Sequence, residues 1–262
     1  MKSMARFSAR DVALICVFAA LFPVVDFLHL GFPIIGGQGR INIDAVLGPI
    51  SALILGPWLG FLATAIGALS GWFIVGGSTF GLLTTTAPMI SAFVTGAICI
   101  KRIGGSAYRI SLPGWLGALC PLVILTALWY IIWVGRAAPL YPVLQFAAII
   151  VILALRGKTS EFFQGSDKGR ITLAVAIASY CGLVTDHMLG NLIFINIIGW
   201  VIPIRDIEGY LAFLHLPDLP SLFMFVLPVS IAERLIMTAI ATGIGVSLVL
   251  ALRRLRLVQG AK

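Results

Sequence analysis

The chain has 262 residues, of which 60% are hydrophobic and only 11% charged, and its mean hydropathy is +1.08. A water-soluble domain of this size cannot hide that much apolar sequence, so a soluble globular enzyme is excluded. The net charge of +8 would suit nucleic acid, but the 18 basic residues sit at the ends of apolar runs instead of along one face, the pattern of membrane-topology signals.

At about 20 residues per helical crossing, the apolar content fits roughly eight crossings. The expected fold is all-α: a polytopic transmembrane bundle of six to eight spans, a single integral membrane domain over 1–262, with both termini cytoplasmic.

Lys2, Arg6 and Arg10 precede a first run over 11–30. It is longer than a signal-peptide core and no small-x-small cleavage site follows it, so it is expected to be a retained first span. Ala9 and Ala13, continued by Ala19 and Ala20, make a smooth stripe that suits either packing inside the protein or docking of a second membrane subunit. Asp26 and His29 end this run, and Gln38, Arg40, Asn42 and Asp44 follow in a polar loop.

The next run, 44–56, is short for a crossing, and Gly-Pro-Trp at 56–58 joins it directly to 57–76. The spacing predicts a tight hairpin with a short first arm. Gly60, Thr64, Gly67 and Gly71 recur at helical spacing, a face that lets helices approach closely. A span over 79–100 carries Thr84, Thr85 and Thr86, whose hydroxyls can return to a carbonyl one turn back. A Trp-rich run over 113–135 and an apolar run over 139–155 follow, then 171–190, a further apolar stretch over 191–204, and a last run over 222–252.

Asp186, His187 and Asn191 can share one helical face. Two readings fit them: a ligand-facing cluster or an interhelix hydrogen-bond clamp. Counting back about 20 residues from Arg253 places Glu233 and Arg234 at the outer interface, with 222–232 as an extra outward segment and Pro228 permitting a bend between the two. Adjacent residues point apart on a helix, so this pair is expected to bind two different partners, a structural interhelix ion pair being the simpler reading.

The basic residues agree with this arrangement. Lys2, Arg6, Arg10, Lys101, Arg102, Arg109, Arg156, Lys158, Lys168, Arg170, Arg253, Arg254, Arg256 and Lys262 fall on the cytoplasmic side, and Arg40, Arg136 and Arg205 outside. Cys16, Cys99, Cys120 and Cys181 lie singly in apolar runs, without metal-ligand spacing, and are expected to be buried small hydrophobes. Neither a metal nor a cofactor is expected. There is no Gly-x-Ser-x-Gly, His-Glu-x-x-His, paired Asp-rich motif or Walker loop.

The segment AVLGPISALILGPWLGFLATAIGALSGWFI, residues 45–74, resembles the hairpin of the substrate-binding membrane subunits (S components) of energy-coupling factor transporters. LPVSIAERLIMTAIATGIGVSLVLALRR, residues 227–254, is similar to their last helix, and the alanine-rich stretch over 5–20 to their first. The chain is longer than the common six-helix members, with 113–156 the natural place for an inserted helical pair. Ser70-Gly71 stands where the family usually has an acidic residue.

The resemblance implies capture of a small micronutrient, such as a vitamin or its precursor, in an outward cavity. Gln38, Arg40, Asn42 and Asp44 would roof it, and Asp186, His187, Asn191, Glu233 and Arg234 would wall it. Ala9, Ala13 and Ala20 would dock an energy-coupling transmembrane subunit that works with two cytoplasmic ATPase subunits. On this reading the chain is not an enzyme, and it sits in the cytoplasmic membrane of a prokaryote. The alternatives are a self-sufficient secondary transporter or channel, a membrane enzyme acting on a lipid or isoprenoid, and a structural or assembly protein.

Overall fold

A computed structural model describes residues 8–28, 31–33, 40–104 and 111–255 of the chain. His29 and Gln38 lie outside the described residues.

Helix α1, Ala9–Phe27, starts at a capping box: the Ser8 hydroxyl accepts from the Asp11 amide and the Asp11 carboxylate accepts from the Ser8 amide, each at 3.1 Å. Strands β1 (Gly31–Pro33) and β2 (Arg40–Asn42) pair antiparallel, and a 3-10 turn over Ile43–Val46 leads into α2, Leu47–Val75. Next come α3 (Thr79–Thr84), α4 (Thr86–Cys99), the antiparallel pair β3 (Arg102–Ile103) and β4 (Leu112–Pro113), α5 (Gly114–Ile131) and α6 (Trp133–Ala137). The chain continues with α7 (Val143–Leu155), α8 (Lys158–Gln164), α9 (Lys168–Ile197), α10 (Ile204–Phe213) and α11 (Leu219–Arg254).

The hairpin is present inside α2. At Gly56 the backbone takes φ 80°, ψ 180°, a conformation that glycine reaches and other residues do not, and Pro57 follows. Ser51 Oγ then lies 3.0 Å from Thr64 Oγ1, thirteen residues on. An unbroken helix would hold these residues about 20 Å apart. The small-residue face is what lets the arms meet, since a Cβ on Gly60 would come within 2.6 Å of Ala52 Cα. The same face continues onto α1, where Gly67 sits against Ala19 and Phe22 and Gly71 against the Asp26 carboxylate.

Five helical stretches are long and apolar enough to cross a membrane: Ile43–Val75, Thr79–Cys99, Gly114–Ile131, Lys168–Ile197 and Leu219–Arg254. Val143–Leu155 with Lys158–Gln164 makes a sixth if this pair, bent by 78°, is one span. Because the chain reverses at Gly56, the first stretch is two antiparallel arms. Helix α1 carries Arg10, Asp11 and Asp26 and is not among the five, although its exposed residues include Val12, Val17, Leu21 and Val24.

Neighbouring segments alternate in direction. Gly48 meets Pro88 and Gly96 meets Pro57, so the first arm of α2 runs parallel to α4. Gly182 meets Ser91 while Ala178 accepts from Thr95, so α9 runs against α4. Arg234 meets Asp186 and Gly245 meets Val175, so α11 runs against α9. Both ends of the described chain consequently lie at one end of the bundle: Ser8 and Arg10 line a pocket with Gly56, Cys99 and Phe163, and Arg253 donates to the Phe163 and Gly165 carbonyls.

The main core lies among α1, α2, α4, α5, α7, α9 and α11, and a second core at the opposite end gathers Trp129, Tyr141, Met188, Leu192, Leu219, Leu222 and Phe223. Lipid gives helices no hydrophobic drive to associate, so close small-residue contacts and side-chain hydrogen bonds hold such a bundle. Helix α9 is bound in this way by Thr95 to its Ala178 carbonyl at 3.2 Å and by Gln145 to its Val184 carbonyl at 2.9 Å. The pair over 113–156 is built into the same cores as α5 to α7.

Three expectations need correction. The run over 171–190 and the stretch after it form one helix, α9, because nothing between Leu189 and Ile197 breaks it. The outward segment before Glu233 is continuous with the last span, since α11 passes through Pro228 without ending. Cys16 and Cys120 are exposed, on outward faces of α1 and α5, and only Cys99 and Cys181 are buried.

Candidate functional site

The polar groups gather at the end of the bundle away from Arg10 and Arg253. Two helices give the depth independently. Arg234 is 19 residues from Arg253 on α11, and Asp186 is 18 from Lys168 on α9. At 1.5 Å per residue both lie close to 30 Å from the basic end, about one hydrocarbon thickness.

Arg234 is the centre of the cluster. Its Nη1 donates to Asp186 Oδ2 at 3.1 Å, tying α11 to α9, and its Nη2 donates to Glu233 Oε1. The expectation that Glu233 and Arg234 bind different partners is therefore corrected. The guanidinium stem is long enough to fold back to its neighbour, and its fork serves two carboxylates at once. Only 8% of Arg234 and of Asp186 is exposed. The backbone is held as well, since Thr238 Oγ1 donates to the Arg234 carbonyl at 2.7 Å.

A second set adjoins it. Tyr141, in the turn just before α7, sits 3.2 Å from His187 Nε2 through its hydroxyl, which accepts from Asn191 Nδ2 at 3.0 Å. His187 and Asn191 thus share a face of α9, as their spacing predicts, and Ser230 of α11 stands beside the phenol. Tyr141 stacks on Trp129 at 4.8 Å, with Phe223 edge-on to both. Four residues on from Tyr141, Gln145 is 1% exposed and bound through its amide nitrogen to Val184.

Asp44, in the 3-10 turn, completes the cluster. The turn touches α1, α9 and α11, and the Asp44 side chain bonds that of Asp26 and lies in the field of Asp186. Gly71 leaves room for Asp26: a Cβ there would fall 1.9 Å from its carboxylate oxygen. The Asp26 carboxylate of α1 therefore packs directly against the hairpin at Gly71.

The structure brings Asp44, Asp186, His187, Asn191, Glu233 and Arg234 to one end of the bundle. Arg40 and Asn42 are placed there by backbone, as the ends of β2 paired with Pro33 and Gly31. Thr84, Thr85 and Thr86 belong to their own turn, their hydroxyls donating to carbonyls three or four residues back. Ala9, Ala13 and Ala20 are exposed, while Ala19 is buried. Among the described residues no three His, Cys, Asp or Glu side chains stand close enough to hold a metal ion.

Tyr141, Gln145, Trp129 and Ser230 were not singled out in the sequence. Gln145 carried a usable signal, as the lone amide in an apolar run, where an unpaired polar group is costly. The others gave none, since aromatic and hydroxyl residues are common in spans.

No known protein family and no solved structure matches the chain. It is similar to an uncharacterized protein of Methanocaldococcus jannaschii, 29% identical over 221 residues, which cover 84% of this chain and 64% of that protein. The chain thus corresponds to less than two thirds of this relative's length.

Proposed function

We propose that the chain is the substrate-capture membrane subunit of an energy-coupling factor type importer, holding a small micronutrient at its outer end. The observation that carries this reading is the closed Asp186–Arg234–Glu233 cluster, joined to Tyr141, His187 and Asn191 about one hydrocarbon thickness from the basic end. Buried ionisable groups in a membrane bundle are expensive and mark ligand or ion sites. Between the two ends, the described spans carry no Asp, Glu, Lys, Arg or His. A pump with its own ion pathway needs such residues at mid-depth, and a capture subunit does not.

On this reading the bundle has eight crossings, counting both arms of the hairpin, with the basic end in the cytoplasm of a prokaryote. The exposed stripe of Ala9, Ala13 and Ala20 receives an energy-coupling transmembrane subunit, and ATP is hydrolysed on two separate cytoplasmic chains. The resemblance over 45–74 and 227–254 supplies these partners.

Native mass spectrometry of the protein purified alone tests the proposal. A co-purified small molecule is expected, lost in Arg234→Ala and Glu233→Ala. An empty protein that moves solute across proteoliposomes with no ATPase present would overturn capture in favour of a self-sufficient transporter.

A further inference from the structure

We infer that the cavity at the basic end of the bundle is a phospholipid site, taking an anionic phosphodiester headgroup at Arg10 and an acyl chain along α1. It lies at the opposite end of the molecule from the polar cluster, so the inference stands apart from the capture reading. The cavity has a volume of about 480 Å³, within the range of pockets that hold small ligands, about 300–1,000 Å³. It opens between the start of α1, the tip of the hairpin at Gly56, the end of α4 and Phe163 of α8.

Its polar and apolar groups are ordered in depth. Ser8, Arg10 and Asp11 line it at the first turn of α1. Leu14 lines it four residues on, about 6 Å further in by helical rise. Leu53 and Leu59, each three residues from Gly56, line it from the two arms of the hairpin. A polar mouth over an apolar wall fits an amphiphile, whereas a wholly polar solute would give up water against the leucines.

An independent observation gives the course of the chain. Arg10, Leu14, Val17 and Leu21 recur at i, i+4, i+7 and i+11, which places them on one face of α1. Val17 is 58% exposed and Leu21 39%. The face therefore leads out of the cavity along the outside of the bundle as an apolar track, with a cation at its head.

Charge selects the headgroup. The Asp11 carboxylate is used within the helix, accepting from the Ser8 amide, while Arg10 makes no ion pair among the described residues. Ile100, at the α4 side of the cavity, is followed directly by Lys101 and Arg102. The Arg253 guanidinium lies over the ring of Phe163, which lines the cavity from α8. Basic pockets between membrane helices attract anionic headgroups.

The test uses the full chain reconstituted in nanodiscs with equal amounts of phosphatidylglycerol and phosphatidylcholine of the same acyl chains, followed by native mass spectrometry of the ejected protein. Retained phosphatidylglycerol is expected in preference to phosphatidylcholine. Arg10→Gln, at an exposed residue, should lower that retention about fivefold, the worth of a single basic residue beside an anionic headgroup. Leu14→Trp should lower it by filling the wall. Lys158→Gln removes a cation at the same end but outside the cavity lining, and should leave retention unchanged. Equal retention of the two lipids, undiminished retention in Arg10→Gln or Leu14→Trp, or an equal loss in Lys158→Gln overturns the inference. So does heat stabilisation of the detergent-purified chain by glycerol phosphate as strong as that by phosphatidylglycerol, which would make the cavity a site for a soluble phosphate.

Discussion

Arg234 shows how a single residue decides the character of this site. Burying one guanidinium with two carboxylates is costly, and the cost is met only while all three remain together. Arg234→Ala leaves Asp186 and Glu233 facing each other without a cation, and is expected to lose about 3–5 kcal/mol of stability. Arg234→Lys should fall between, because an ammonium cannot fork to two carboxylates. Tyr141→Phe should lose only about 1 kcal/mol, the ordinary net value of a hydrogen bond. Thermal melts of the detergent-solubilised variants rank the three, and a near-neutral Arg234→Ala would show that the cluster does not bind the helices together.

At the scale of elements, the hairpin in α2 places the cluster. Its first arm carries the 3-10 turn with Asp44 to the end of the bundle away from Arg253, and its second arm makes room for Asp26 at Gly71. Two glycines serve it differently. Gly56 has nothing within 4 Å of where a Cβ would stand, so only its positive φ matters, and Gly56→Ala should cost about 1–3 kcal/mol without separating the arms. Gly60 meets Ala52 at 2.6 Å, so Gly60→Leu should force the arms apart. A disulfide between Ser51→Cys and Thr64→Cys reads both cases. It should form in the parent and with Gly56→Ala, and should fail with Gly60→Leu; failure in the parent would contradict the hairpin.

Across the whole molecule, charge is separated by end. The Arg253 guanidinium sits on the Phe163 and Gly165 carbonyls and over the Phe163 ring at 4.9 Å, anchoring α11 beside the other basic residues. On the proposed reading that end faces the cytoplasm. With the native cysteines replaced, Lys158→Cys should react with a membrane-impermeant thiol reagent only after cells are opened, and Glu208→Cys in intact cells. The reverse pattern would turn the cluster toward the cytoplasm and remove the basis for capture. Asp218, outside the spans, caps α11 through the Ser221 amide at 2.9 Å, and this holds its carboxyl below the usual range. The cap's contribution is therefore present above the ordinary carboxylate pKa and fades as the pH falls through the lowered one.

Membrane class, the basic end, the hairpin and the position of Glu233 and Arg234 at the end away from Arg253 were legible in the residues alone. Each follows from one-dimensional quantities: apolar run length, basic residues at run ends, Gly-Pro between two runs, and a count of residues from Arg253. Which side chains meet was not legible. That Arg234 folds back to Glu233 while reaching Asp186, that Asp26 fills the place over Gly71, and that Tyr141 and Gln145 of the presumed insertion join His187 and Val184 all depend on helices distant in sequence. Helical periodicity gives the face of a residue but not the neighbour it meets, and helix packing alone decides that.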